Sequence, residues 1–421
     1  MTLKIRHSST SYAWLVVGLL SVVGCLNYLD RMMITTMRFS IIESIPMTDA
    51  QFGLLTSLFL WIYGFLSPVG GFLADRFKRK WVIIGSLLVW SLVTWLTSFV
   101  TTYEGLLATR ALMGISEACY IPAGLAMIMD YHRGATRSLA NGIHMAGIMI
   151  GQSLGFIGGW LAETHSWNFA FSAFGIIGIV YAVVLLLVLK EAPPHPEEAS
   201  AGSKQTAGPL TLRETLSALL TNREYLKTLF FWGIGGIVVW LVVGWLPTYF
   251  KEHFNLSQSM AGIYSTGYFH AASLFGVIAG GFLADRWSKK HPRGRIFVPM
   301  VGLSIAAPAV FLASSTDLLY PALAGFMLFA FFRVFLDANM MPVLTLLIDK
   351  KFLATGYGIL NFIACLIGGA SLYAGGVLRD MNVNIGLLFK ISAGLLLLIV
   401  LILSRLKPLE KKSPDEPAGQ D

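Results

Sequence analysis

The heptapeptide Gly70-Gly-Phe-Leu-Ala-Asp-Arg76 returns unchanged as Gly280-Gly-Phe-Leu-Ala-Asp-Arg286. Each copy closes an apolar run. Each is followed by further positive charge, Lys78, Arg79 and Lys80 after the first and Lys289 and Lys290 after the second. A seven-residue identity at matching positions signals duplication of a much larger unit.

Working outward from the two copies, apolar runs long enough to cross a bilayer recur on both sides. They fall at roughly 12–37, 49–74, 81–100, 105–130, 136–162, 168–189, 225–250, 258–284, 296–314, 318–347, 354–379 and 384–405. The runs are continuous, without the alternation of a membrane β-barrel, so helices are expected. The first run continues past Ile34, too long for a signal-peptide core, and reads as a retained helix. One segment breaks the pattern. Residues 190–224, opening KEAPPHPEEASAGSKQTAGP, read as a linker ending in a short amphipathic stretch near Leu212–Leu220. The expected organisation is a six-helix bundle over 1–189, the linker, a second six-helix bundle over 225–405, and a tail over 406–421. A fainter echo supports it: Glu117, Pro122 and Asp130 in the fourth span parallel Asp337, Pro342 and Asp349 in the tenth.

Composition agrees. Of the 421 residues, 55% are hydrophobic and only 13% charged, too few charges to coat a soluble surface. Mean hydropathy is +0.68. The net charge of +8 does not point to nucleic acid, because the basic residues sit in short loops between apolar runs. The repeated loops, the linker, Arg133, Arg137, Lys350, Lys351, Lys411 and Lys412 fall on one side. Arg38, Lys251 and Arg379 fall on the other. Both termini are therefore expected in the cytoplasm, of a bacterial inner-membrane protein. Cys25, Cys119 and Cys365 lie in apolar runs and read as packing residues.

The motif G-x-x-x-D-R-x-x-[RK]-[RK], carried by Gly71, Asp75, Arg76, Arg79 and Lys80 and repeated at Gly281, Asp285, Arg286, Lys289 and Lys290, resembles that of the major facilitator superfamily. The resemblance covers essentially the whole chain. It implies an all-α fold of twelve transmembrane helices in two pseudo-symmetric bundles. It further implies that Gly71, Asp75, Arg76, Arg79, Asp285 and Arg286 gate the cytoplasmic side, each aspartate pairing with basic residues and a helix N-terminus across the seam between halves. Asn27-Tyr28-Leu29-Asp30-Arg31, Arg110 with Gly114, Glu117 and Ala118, and Trp245-Leu-Pro247-Thr-Tyr249 resemble the anion:cation symporter branch. That branch includes galactonate, hexuronate and sialic-acid carriers. Spinster relatives, which export lysolipids, share a similar pattern in spans one and four.

Charges inside spans cost about 2.5–3.5 kcal/mol even on lenient scales, so they face the interior and serve function. Asp30, Arg31, Arg110, Glu117, Arg333 and Asp337 qualify. Tyr28 and Arg31 are three apart and share a face, as do Arg333 and Asp337 at four and Arg110 and Glu117 at seven. Asp30 is turned by about 100° from Arg31 and is expected to face a neighbouring helix, the fourth. Arg31, with Arg333 from the other half, is expected to grip an anion, since a guanidinium donates two parallel hydrogen bonds to a carboxylate. Asp30 and Glu117 are expected to carry protons, Arg110 to hold one of them ionised, and Asp337, paired with Arg333, to belong to the same proton-coupling set. Tyr28, Tyr63, His144, Gln152 and Asn361 are candidate cavity residues, Tyr63 and Asn361 with support from the family position. Tyr268 and His270 are weaker candidates. Gly147, Gly151 and Gly155 share one face of the fifth span for close packing.

The reading that follows is proton-coupled symport of a small organic anion, a hexonate or hexuronate, by a monomer in the lipid bilayer. The proton gradient drives it, and no cofactor or metal is required. The alternative is Spinster-like export of a lysolipid or other amphiphile. An enzyme is not expected, since no metal cluster, nucleophile motif or phosphate loop occurs at usable spacing.

Overall fold

The computed structural model describes residues 10–132, 136–192, 212–291, 293–349 and 352–408. Most of the linker and of the tail, with Arg133, Lys350, Lys351, Lys411 and Lys412, lies outside the described residues. Within them, twelve helices are long and apolar enough to cross a membrane. We number them α1 (Thr10–Thr36), α2 (Asp49–Arg76), α3 (Arg79–Thr97), α4 (Tyr103–Tyr131), α5 (Arg137–Thr164), α6 (Trp167–Val188), α7 (Arg223–His253), α8 (Gln258–Ser288), α9 (Gly294–Ala313), α10 (Leu319–Leu344), α11 (Thr355–Asp380) and α12 (Ile385–Ser404). The protein is all-helical, with α1–α6 forming one bundle and α7–α12 the other.

Local chemistry sets the helix starts. Thr48 and Gln51 form a capping box at the head of α2. Thr102, Ser166, Asn222 and Asn384 cap α4, α6, α7 and α12 with side-chain oxygens. Two spans are interrupted. The turn at Ala118 and Cys119 breaks α4, four residues before Pro122 would clash with the carbonyl of residue 118. In α5, Leu154 and Gly155 separate two straight segments. A π-helical stretch, Ile263–Tyr268, bulges α8.

The two bundles repeat one packing scheme. In the first, α1 packs on α5, α2 on α4 and α3 on α6; in the second, α7 packs on α11, α8 on α10 and α9 on α12. Gly147, Gly151 and Gly155 let α5 lie directly on Ser21, Cys25 and Met32 of α1, where a Cβ would collide. The halves meet along two seams, α2 against α11 and α5 against α8. Ser57 donates to the Gly369 carbonyl at 2.6 Å and Trp61 Nε1 to the Leu366 carbonyl at 2.9 Å. On the other seam Ser153 donates to the Gly267 carbonyl at 2.9 Å. Among the described residues the inter-half hydrogen bonds run from mid-span to one face, the face opposite the linker. Among the described residues none joins the halves at the linker face.

Candidate functional site

Arg31 is the centre of the charge cluster. Its Nε donates to Glu117 Oε2 at 2.8 Å, and the two side chains are 3% and 0% exposed. The guanidinium lies over Tyr63 at 4.2 Å, Tyr28 at 4.5 Å and Phe59 at 5.0 Å. One turn of α1 supplies Tyr28 and Arg31, three apart, and one turn of α2 supplies Phe59 and Tyr63, four apart. The cation is thus walled by π faces and held by one carboxylate.

Arg110 does not join that pair. Seven residues separate it from Glu117, a rise of about 10 Å along the axis, so a shared face does not bring the two heads together. Arg110 lies instead over Phe171 of α6 at 5.5 Å. Asp30 points to α3, where Thr94 Oγ1 donates to it at 3.3 Å. The expected neighbour was the fourth helix. Asp30 sits where α3 and α4 converge, and the hydroxyl lies on α3, while Arg110 and Glu117 of α4 remain near enough to act on it electrostatically. Thr94 is a site residue that intramembrane charge alone did not reveal.

Several buried polar atoms here have no protein partner: Arg31 Nη2, Arg110 Nε and Nη2, Glu117 Oε1 and both polar atoms of the Asn27 amide. Arg31 and Arg110 both line a small cavity between the halves. The first half contributes Thr35, Thr56, Phe59 and Leu60 among others, and the second contributes Trp240, Val243, Gly244 and Leu372. Apart from Arg31, Arg110 and the two threonines, the lining is wholly apolar.

The remaining expected residues distribute as follows. Arg333 and Asp337 pair with each other on α10, Arg333 Nη1 lying 3.4 Å from Asp337 Oδ1. Asp337 and Tyr28 both act electrostatically on Tyr357 of α11. His144 is fully buried against Gly24 and the Tyr120 ring, 5.9 Å away, with neither ring nitrogen partnered. It belongs to the packing of the first bundle. Gln152 and Asn361 are half-buried and Tyr268 is exposed. His270 is buried near Arg333.

At the linker face Asp75, Arg76, Asp285 and Arg286 are exposed. Arg79 pairs with Asp130, and Arg295 lies 3.5 Å from Asp285, both within one half. Space is open beside Gly71 and Gly281. It is Gly70 and Gly280 that pack tightly, on Ala118–Cys119 and on Phe335. The opposite face is shut by Arg38 and Arg379, which sequence reading used only to set orientation, together with Asp49 and Glu252, which it did not single out. Arg379 binds Glu252 through Nη1 and Nη2 at 3.0 and 2.8 Å and Asp49 through Nε at 3.0 Å. Arg38 also pairs with Asp49 and lies 3.7 Å from Glu252. Burial pushes the Arg38 guanidinium below its usual value, and the Asp49 carboxylate opposes that shift.

The family model described as Major Facilitator Superfamily matches residues 20–372. Protein spinster homolog 1 of Xenopus tropicalis is 29% identical over 332 residues, which are 73% of this chain and 60% of that protein. Protein spinster of Drosophila melanogaster is 27% identical over 304 residues, 70% of this chain and 49% of that protein. An uncharacterized transporter of Bacillus subtilis, YybO, is 26% identical over 309 residues, 69% of this chain and 70% of that one. The chain thus spans about 60% of the length of the first of these relatives. Among solved structures, a bacterial homolog of the human lysosomal transporter Spinster, inward-facing and occupied, matches with TM-score 0.78 at 22% identity, covering 97% of this chain and 100% of that one. The unoccupied inward-facing form matches with TM-score 0.75 at 23% identity, covering 94% and 96%.

Proposed function

Because the chain belongs to the Major Facilitator Superfamily, we propose that it moves an amphiphilic organic anion across the membrane by alternating access. The observation that carries this is the cavity between the halves, whose lining brings Arg31 and Arg110 together with Phe59, Leu60, Trp240, Val243 and Leu372. Two guanidiniums suit a carboxylate or phosphate head, and the apolar wall suits a hydrocarbon portion. A sugar acid would call for several hydroxyl partners. Of the polar residues expected to supply them, His144 is turned into the first bundle and only Arg31 is among the cavity-lining residues. Likeness to Spinster proteins over about 70% of the chain supports the same reading.

Asp30 and Glu117 are the proton carriers in this scheme. Glu117 occupies one edge of the Arg31 fork, and an incoming anion competes for that fork. Protonation of Glu117 releases the guanidinium to the anion, so the two events are linked through one side chain. With the basic linker face in the cytoplasm, the conformation is open to the cytoplasm.

Protein reconstituted in liposomes tests the reading. A single-chain lysolipid with a phosphate head is expected to move down an imposed gradient, and to raise thermal stability in detergent. Both effects are expected to vanish in Arg110→Ala. A hexonate or hexuronate that stabilises the protein while lysolipids do not would overturn the amphiphile reading in favour of sugar-acid symport.

A further inference from the structure

Beyond the repeated heptapeptide, the two halves share a second pattern that becomes visible only at the closed face. Span α5 ends Gly158-Gly-Trp-Leu-Ala-Glu163, and span α11 ends Gly375-Gly-Val-Leu-Arg-Asp380. Both read G-G-x-L-x-[ED], and α5 and α11 hold equivalent places in their bundles. Each acidic residue reaches across the seam to the head of a helix in the other half. Asp380 accepts from the backbone N–H groups of Asp49 and Ala50, at 2.9 Å each, at the start of α2. Glu163 accepts from the backbone N–H of Ser259 at 2.7 Å and from its hydroxyl, at the start of α8. Counted from the GGFLADR repeat, Ser259 stands in the second half where Asp49 stands in the first.

The glycines explain the reach. A Cβ at Gly376 would meet Ala50 Cα at 2.8 Å, and one at Gly159 would lie 3.4 Å from the Gln258 carbonyl oxygen across the seam. Four residues on, one helical turn, each carboxylate then lies over the opposing helix end. There the first N–H groups of the helix have no partner within it, and the dipole favours negative charge.

From this we infer that Glu163 and Asp380 form a pseudo-symmetric pair of inter-half clamps that latch the face opposite the linker shut. The Arg38–Asp49–Arg379–Glu252 network reinforces the Asp380 clamp, since Arg379 precedes Asp380 and Asp49 supplies one of the capped N–H groups. The Gln258 side chain plays the smaller part beside Glu163, accepting from the Ser40 N–H at 3.1 Å and donating to the Ser40 hydroxyl at 2.9 Å. Opening this face must break both caps together, because both halves rotate as units. The inference rests on the alternating-access reading, but its test measures shape rather than transport.

The test uses full-length protein in lipid nanodiscs, in a background lacking Cys25, Cys119 and Cys365. Spin labels on Thr101→Cys of the first half and Ser315→Cys of the second report the width of the closed face. Glu163→Gln and Asp380→Asn each remove a charge and one acceptor oxygen without changing shape. Each is expected to raise the population of a longer distance, and the double variant to shift the closed-to-open ratio by roughly tenfold or more. Glu191→Gln is the control. Glu191 caps the head of α3 through Arg79 and Lys80 at 3.1 and 3.0 Å, the same chemistry within one half, and its loss is expected to leave the distances unchanged. Unchanged distances in both single variants, or an equal shift in Glu191→Gln, would overturn the latch. If the double variant does not fold, the single variants decide.

Discussion

The Arg31–Glu117 pair offers the sharpest quantitative test. Its members are 3% and 0% exposed and 2.8 Å apart, so neither is screened by water. Replacing Glu117 by Gln keeps the volume and an acceptor oxygen but leaves the guanidinium charge uncompensated. An uncompensated buried charge of this kind costs about 3–5 kcal/mol. Arg31→Met strands Glu117, which then retains only the longer-range attraction of Arg110, so a loss of about 3 kcal/mol is expected. The double replacement removes both charges, and it should recover most of either loss, because a buried pair and an apolar pair of like volume are often equivalent. The coupling in the cycle, the sum of the single losses less that of the double, is therefore expected to reach about 5 kcal/mol, beyond the about 0.5–3 kcal/mol usual for residues in contact. Reversible unfolding in mixed micelles, followed by tryptophan fluorescence, measures all four corners. Single losses below about 1 kcal/mol that simply add would show that water or lipid reaches the pair, and the site as described would be wrong.

Other outcomes follow from the same geometry. Gly70→Ala places a Cβ against Cys119 Cα at 2.8 Å and is expected to cost about 1–3 kcal/mol, whereas Gly71→Ala enters open space; comparing their melting temperatures separates the two glycines of the motif. Thr94→Val removes the one hydroxyl that donates to Asp30, at 3.3 Å, and is expected to destabilise by about 1–3 kcal/mol and slow proton-driven uptake in liposomes. His144→Phe removes two buried, unpartnered ring nitrogens; it is expected to leave transport within about twofold and stability unchanged or higher, and a total loss of transport would place His144 in the pathway.

Much of this was legible beforehand because membrane insertion is written locally. A run of apolar residues must be a helix in lipid, whatever its neighbours, since its backbone groups have no other partners. The duplicated GGFLADR then divides twelve helices into two related bundles. The cost of burying charge similarly picked out Arg31, Glu117, Arg110 and Asp30 as residues of the interior. Which of them touch was not legible. Arg110 and Glu117 share a helical face, yet Glu117 binds Arg31 of another helix. Side-chain spacing along one helix says nothing about the rotation of its neighbour. His144 and Asn361 illustrate the same limit, since polarity inside a span does not distinguish a cavity wall from a helix contact.

What the sequence determined by itself was the solvent of the chain, its helix count, its duplication and the identity of its buried charges, all of which depend on short-range composition. The tertiary structure alone decided the pairing of those charges, the apolar character of the cavity around two arginines, and the closure of one face by Glu163, Asp380, Arg38, Asp49, Glu252 and Arg379. Those depend on how two rigid bundles tilt against each other, and that angle is set by glycine contacts between residues hundreds of positions apart.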